Sequence, residues 1–244
     1  MKFHTLIGLA GSLMIANEAS ANYAGLGVQY YTTVNAGGQL RSVYRIYANF
    51  TDANDYLTAV AGTPSLGAMV IQDCALFGGL GTGFFNPGGF SSNTAPFQSQ
   101  IDSNPDLQWG TFATIGVSIA DMGSGSPPAN PDQTSLSPGF PNFINGNQLV
   151  NNNLAWFTPG PVEQGRAGYA GDGDLVLRVL MMQLTVNAGE GVQGTVALAG
   201  STASGNFTIG GQTFICIPGP GAIGLLAMGG LCGFRGRRRA NRLL

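Results

Sequence analysis

Asp172-Gly173-Asp174 and Asp52-Ala53-Asn54-Asp55 carry side-chain oxygens at the alternate positions that open a calcium loop. The later ligands of such a loop, above all a Glu at its twelfth position, are missing after both segments. Turn formation by Asp and Asn explains the two stretches better, so no metal is expected, with Asp172 and Asp174 the weak candidates. Nine Asp and two Glu lie between residues 22 and 217, enough in number for a glycosidase pair. That chemistry depends on two carboxyl groups about 5 to 9.5 Å apart in space, which spacing along a chain does not fix.

Other catalytic sets are excluded by what is missing. The single His, His4, falls in the first residues of the chain, and no Lys follows Lys2. Triads, Cys-His pairs, His-ligated zinc and a Ser-Lys dyad therefore have no members between residues 22 and 217. The glycine-rich stretch Gly78-Gly79-Leu80-Gly81-Thr82-Gly83 continues into Phe84-Phe85-Asn86-Pro87-Gly88-Gly89, which reads as loop. A phosphate cradle needs a strand before it and a helix after, so a connection between strands is the better reading. No catalytic residue, no cofactor and no enzymatic activity is expected.

Two further residue pairs are candidates of a weaker kind. Cys74 and Cys216 fit either a disulfide or two buried small apolar residues, while Cys232 belongs to a C-terminal apolar run. Trp109 and Trp156 are the candidate contacts for a carbohydrate, as an apolar platform on a sheet face. Aromatic residues in β-proteins more often pack the core, and that reading competes with it.

The residues that must position any site are those of a long, weakly charged chain. Of its 244 residues only 9% are charged while 39 are Gly, so the surface is built from Asn, Gln, Ser, Thr and Gly. Between Asn22 and Ile217 four Arg face the eleven carboxylates, a formal charge of −7. A body of that sign does not neutralise phosphates, which argues against nucleic acid as a partner.

Period-2 alternation dominates this body. In Tyr44–Phe50 the residues Tyr44, Ile46, Ala48 and Phe50 share one face against Arg45 and Asn49, predicting a half-exposed strand. Residues 51–55 then read as a hairpin turn, with Tyr56–Ala61 as the partner strand. Leu175–Val186 is apolar on both faces and predicts a central strand. Gly25–Val34, Trp109–Ile119 and Val192–Leu198 add strands, and Phe207–Ile209 with Gln212–Ile217 reads as a closing hairpin around Gly210-Gly211. Five of the thirteen Pro fall between Asp121 and Asn145, predicting a long surface excursion. The fold class expected is all-β: one Gly-rich antiparallel sandwich, with a barrel or jelly roll as the second choice.

The two ends carry targeting chemistry. Lys2, the apolar run Leu6–Ile15 and Ala19-Ser20-Ala21 form the three parts of an export signal over residues 1–21. At the other end, Pro218-Gly219-Pro220 precedes an apolar span at 222–234 and then Arg235, Arg237, Arg238, Arg239 and Arg242. This order resembles the PEP-CTERM sorting signal that exosortases recognise, with Gly219 where that family has its Glu. The resemblance implies export, transient retention in the inner membrane, cleavage near Pro218-Gly219-Pro220, and release or attachment at the cell surface. The implied partners are an exosortase-like membrane enzyme and an extracellular polysaccharide. The chain thus divides into a signal peptide (1–21), a β-sandwich domain (22–217) and a sorting signal (218–244), flanked by a signal helix and an apolar C-terminal helix. The expected role is that of a non-catalytic surface or matrix protein, with a carbohydrate-binding module as the alternative.

Overall fold

Alternating β-branched and aromatic runs favour strands, and the computed structural model of the chain describes residues 23–75, 79–87, 94–122, 131–140, 146–169 and 177–215. The export signal, the sorting signal with Pro218-Gly219-Pro220 and its Arg cluster, Cys216, Asp172 and Asp174 lie outside the described residues. Eleven strands are present among those described: β1 (Tyr23–Ala36), β2 (Gln39–Phe50), β3 (Tyr56–Gly62), β4 (Met69–Cys74), β5 (Phe112–Ala113), β6 (Ser135–Leu136), β7 (Gln148–Asn151), β8 (Leu154–Phe157), β9 (Arg178–Asn187), β10 (Gly191–Thr202) and β11 (Gly205–Phe214). Every strand pairing is antiparallel.

Two sheets share them. The first runs β1-β2-β9-β5, and the second runs β6-β8-β3-β10-β4-β7 with β11 added to β10. Thr195 pairs with Val70 of β4 and Thr213 of β11, while Ala199 pairs with Ala59 of β3 and Thr208 of β11. Strand β11 therefore lies along one edge of β10, and β3 and β4 divide the other edge end to end. Between the sheets Tyr44, Ile46, Met182 and Leu184 meet Val60, Ile71, Trp156 and Leu198 in one buried cluster. The arrangement is all-β and sandwich-like.

Several connections differ from the expectations. Strands β2 and β3 belong to different sheets, so residues 51–55 cross between sheets and close no hairpin. The Asx turn in which Asp52 Oδ1 accepts from Asn54 N at 2.8 Å serves either connection, which is why local sequence misleads there. Gly210-Gly211 lies inside β11, where both residues oppose Ala197 in a bulge and Gly211 takes φ +62°. The true β10–β11 turn is at Thr202–Gly205. The β1–β2 turn is Gly37-Gly38, with φ +60° and +73°, the pair of positive values that a two-residue hairpin loop needs.

The outer face of the first sheet is covered, not half-exposed. Arg45 is 8% exposed, lying 3.7 Å from the Tyr31 ring centre, and Arg178 lies 3.9 Å over Tyr47. Instead of one strand over 109–119, the segment from residue 94 to 122 forms a short helix α1 (Gln98–Ser103), a 3₁₀ turn (Pro105–Trp109) and the two-residue β5. It has a small core of its own, Ala95, Phe112, Val117 and Met122. Gln183 on β9 ties it down, donating from Nε2 to the carbonyls of Gln108 and Gly110 at 3.0 Å each.

The proline-rich window also returns to the body. Its residues 131–140 include β6, and Leu136 and Phe140 pack on the core. Buried Gln164 anchors this segment, accepting from Gln133 N at 2.9 Å and donating to Ile115 O at 2.8 Å and Asp132 Oδ1 at 3.0 Å.

Candidate functional site

The glycine-rich stretch supplies the strap of the site. Residues 79–87 cross one end of the sandwich, where the β1–β2 turn, the β9–β10 turn and residues 146–147 ahead of β7 converge. Phe85 N donates to Thr185 O at 2.7 Å, and Thr111 N to Phe85 O at 2.9 Å, which fixes the strap's end beside β9. Phe84 N donates to Gly146 O at 3.3 Å on the other side.

Three successive backbone N–H groups of the strap point at carboxylates. Gly81 N donates to Asp73 Oδ1 at 3.0 Å, Thr82 N to Glu190 Oε1 at 3.0 Å, and Gly83 N to Asp73 Oδ2. This is the concave donor array that binds anions elsewhere, and here the anions are the protein's own. A Cβ at Gly81 would stand 2.7 Å from Asp73 Oδ2 and 3.0 Å from Glu190 Cδ, so a side chain there would displace the Asp73 carboxylate. Glu190 accepts further from Thr82 Oγ1 and Asn187 N, both at 3.1 Å. Asp73 is fully buried at the end of β4. Burial pushes its carboxyl above the ordinary aspartate range, opposed by the Gly83 N–H and reinforced by the charge of Glu190.

Beside the strap opens a cleft of about 850 Å³. Gln39, Arg41, Asn86, Asn147 and Asn187 give it an amide-rich wall. Arg41 donates to Asn187 Oδ1 at 2.5 Å, and its guanidinium lies 4.5 Å from the centre of the Phe85 ring. Burial lowers its pKa and Glu190 raises it, the first effect being the larger. Arg41 Nε and Asn86 Nδ2 are buried with no hydrogen-bond partner among the described residues. Both atoms are closed off from solvent, so neither faces the cleft.

The residues singled out from sequence lie elsewhere. Trp156 is fully buried in β8, its Nε1 donating to Thr114 O at 3.2 Å and its ring meeting Phe140 edge-on at 6.0 Å. A ring with no exposed face does not stack on a sugar, and the platform expectation for Trp156 is corrected accordingly. Trp109 is half-buried at the end of the 3₁₀ turn, and neither Trp lines the cleft. Cys74 is disulfide-bonded, and Cys216 lies outside the described residues. Asp52 and Asn54 serve their turn, and no group of three or more metal-ligating side chains occurs among the described residues. No described helix is long and apolar enough to cross a membrane.

Sequence reading missed Asp73, Glu190 and the amide wall. The available signal was electrostatic: four Arg serve eleven carboxylates in the body, so some carboxylates need backbone donors, and a glycine-rich stretch follows Asp73 within a few residues. No protein-family model, curated protein or solved structure matches this chain.

Proposed function

We propose that the chain is an exported cell-surface or extracellular-matrix protein whose β-sandwich domain acts by binding, without catalysis. Its signal helix at 1–21 directs export, and its apolar C-terminal helix at 222–234 holds the chain in the inner membrane until an exosortase-like enzyme cleaves near Pro218-Gly219-Pro220. A 13-residue helix spans about 20 Å, short of the roughly 30 Å hydrocarbon layer, so it retains the chain poorly without help. The five Arg behind it act as the stop and keep that end cytoplasmic.

The observation that carries the proposal is the division of labour along the chain. The described residues lie between Tyr23 and Ile215, and in the sequence the tripartite export pattern stands before them and the Pro-Gly-Pro, apolar and Arg-rich order after them. A binding role is supported by the engagement of Asp73 and Glu190 with the strap, which leaves amides and Arg41 facing the cleft. The partner of the Cys74 disulfide is proposed to be Cys216, because Cys232 belongs to the tail that processing removes.

The test is the intact mass of protein recovered from the cell surface. A species beginning at Asn22 and lacking the Arg cluster is expected. Protein still ending at Leu244 in cells with an active exosortase overturns the sorting proposal.

A further inference from the structure

We infer that two copies of this chain associate edge to edge through β1, in an antiparallel pair of β1 strands centred on Val28. The inference goes beyond the sorting proposal and does not depend on it.

Hydrogen-bond parity sets which groups the edge offers. Phe50 N donates to Leu177 O, so the even-numbered residues of β2 turn their backbone groups to β9 and the odd-numbered ones to β1. Asn49, Tyr47 and Arg45 pair with Gly25, Gly27 and Gln29, whose backbone groups therefore face β2, while those of Leu26, Val28 and Tyr30 face away. Among the described residues no backbone bond reaches these three from the outer side. Every residue of β1 from Tyr23 to Asn35 is at least partly exposed, whereas β2 is buried from Ser42 to Ala48.

The composition of the edge selects its partner. YAGLGVQYYTTVNA has no charged residue and no Pro, two of the devices that keep a β edge from pairing. The other terminal strands are blunted: β5 and β6 have two residues each, β7 has four, and β11 carries the Gly210-Gly211 bulge with Leu66 laid against Gly210. Register shifts at Ala24 and Tyr31 leave residues 25–30 of β1 as one regular run. Tyr23 stacks on Phe207 of β11 at 6.4 Å and closes the corner beyond that run.

A second copy fits the run because the run is its own complement. Two-fold pairing sets Val28 opposite its own counterpart and Leu26 opposite Tyr30, each pair exchanging both N–H···O bonds. No charge then faces a like charge. The body carries a formal charge of −7 and repels its copy, so an uncharged strip is where two can meet. A basic strand from another protein finds no carboxylate on β1 to favour it.

The experiment is sedimentation velocity of the full-length chain over a concentration series, joined to hydrogen exchange of residues 25–30. A monomer–dimer equilibrium is expected, with the amides of Leu26, Val28 and Tyr30 gaining protection as the dimer forms. Val28→Pro removes the central bonds of the pair and none to β2, because that N–H faces outward, and should weaken the dimer roughly tenfold or more. Val28→Ala trims the same side chain but keeps the N–H, so it should still dimerise, which separates lost pairing from lost packing. The inference is overturned by a monomer at every concentration, by a dimer that Val28→Pro leaves intact, or by equal loss of dimer in both variants. It is overturned as well by a dimer whose 25–30 amides exchange as fast as the monomer's, a readout that needs no variant and so decides where Val28→Pro fails to fold.

Discussion

Trp156 and Asp73 show how one side chain's surroundings decide its role. Trp156 buries its whole ring and gives its N–H to Thr114 O, so Trp156→Ala removes packing and orphans a carbonyl together. The expected loss is about 3–5 kcal/mol, read as a fall in the urea midpoint. An unchanged midpoint would contradict the core placement. Nothing in the residue type distinguishes this Trp from a sugar platform, since a large amphipathic ring serves both, and only the pairing of β8 with β3 decides. For Asp73 the pKa is raised, so between its unfolded and folded values the native state holds more protons than the unfolded one. Its contribution therefore falls as pH rises through that window, and the penalty is absent below the unfolded value. Unfolding free energies of wild type and Asp73→Asn measured from about pH 4 to 7 should show the wild type losing ground to the variant as pH increases. A gap that widens in favour of the wild type would mean that the strap N–H groups outweigh burial.

Among the elements, β10 depends on two aromatic residues of its neighbour. Gly194 pairs with Phe214 and Gly200 with Phe207, and each ring lies across the glycine where a side chain would stand. A Cβ on Gly194 would come within 2.6 Å of the Phe214 ring and 2.4 Å of Val70 O. Gly194→Ala is expected to cost about 1–3 kcal/mol by overpacking. In a double-mutant cycle with Phe214→Ala the two losses should fall short of additivity, because the ring is half of the clash; strict additivity would reject the contact. At this scale the sequence was readable for strand positions and poorly readable for strand partners. Arg45 and Asn49 marked one face of β2 as polar, yet Arg45 is covered by Tyr31, a residue of β1. Likewise, residues 51–55 contain good turn formers, and turn formers do not say whether the chain returns to the same sheet or crosses to the other. The 109–119 stretch is strand only at Phe112–Ala113, because Gly116 takes φ +83° and the chain turns into a 3₁₀ segment at Ile119–Met122.

For the molecule as a whole, a Cys74–Cys216 bond would tie the end of β4 to the chain just after β11. Closing a loop of that size is worth roughly 5 kcal/mol in the chain-entropy model. Reduction of exported protein should therefore lower its thermal midpoint by many degrees, and non-reducing peptide mapping should recover the 74–216 pair; a free thiol at Cys216 in denatured, unreduced protein rejects it. The strand order has a further consequence, concerning time. In the first sheet β9 joins β2 to β5, and in the second β10 holds β3, β4 and β11 together. Both joining strands lie beyond residue 177, while the strands they unite begin at residue 39. Contacts of such separation form late, after the cost of ordering the intervening chain has been met. A polypeptide threaded N-terminus first through a narrow channel would thus carry no stable half-domain until its last quarter emerged, and could neither jam the channel nor be pulled back by premature folding. A chain truncated before Leu177 should stay protease-sensitive throughout, whereas one extending to Ile215 should become resistant in a single step.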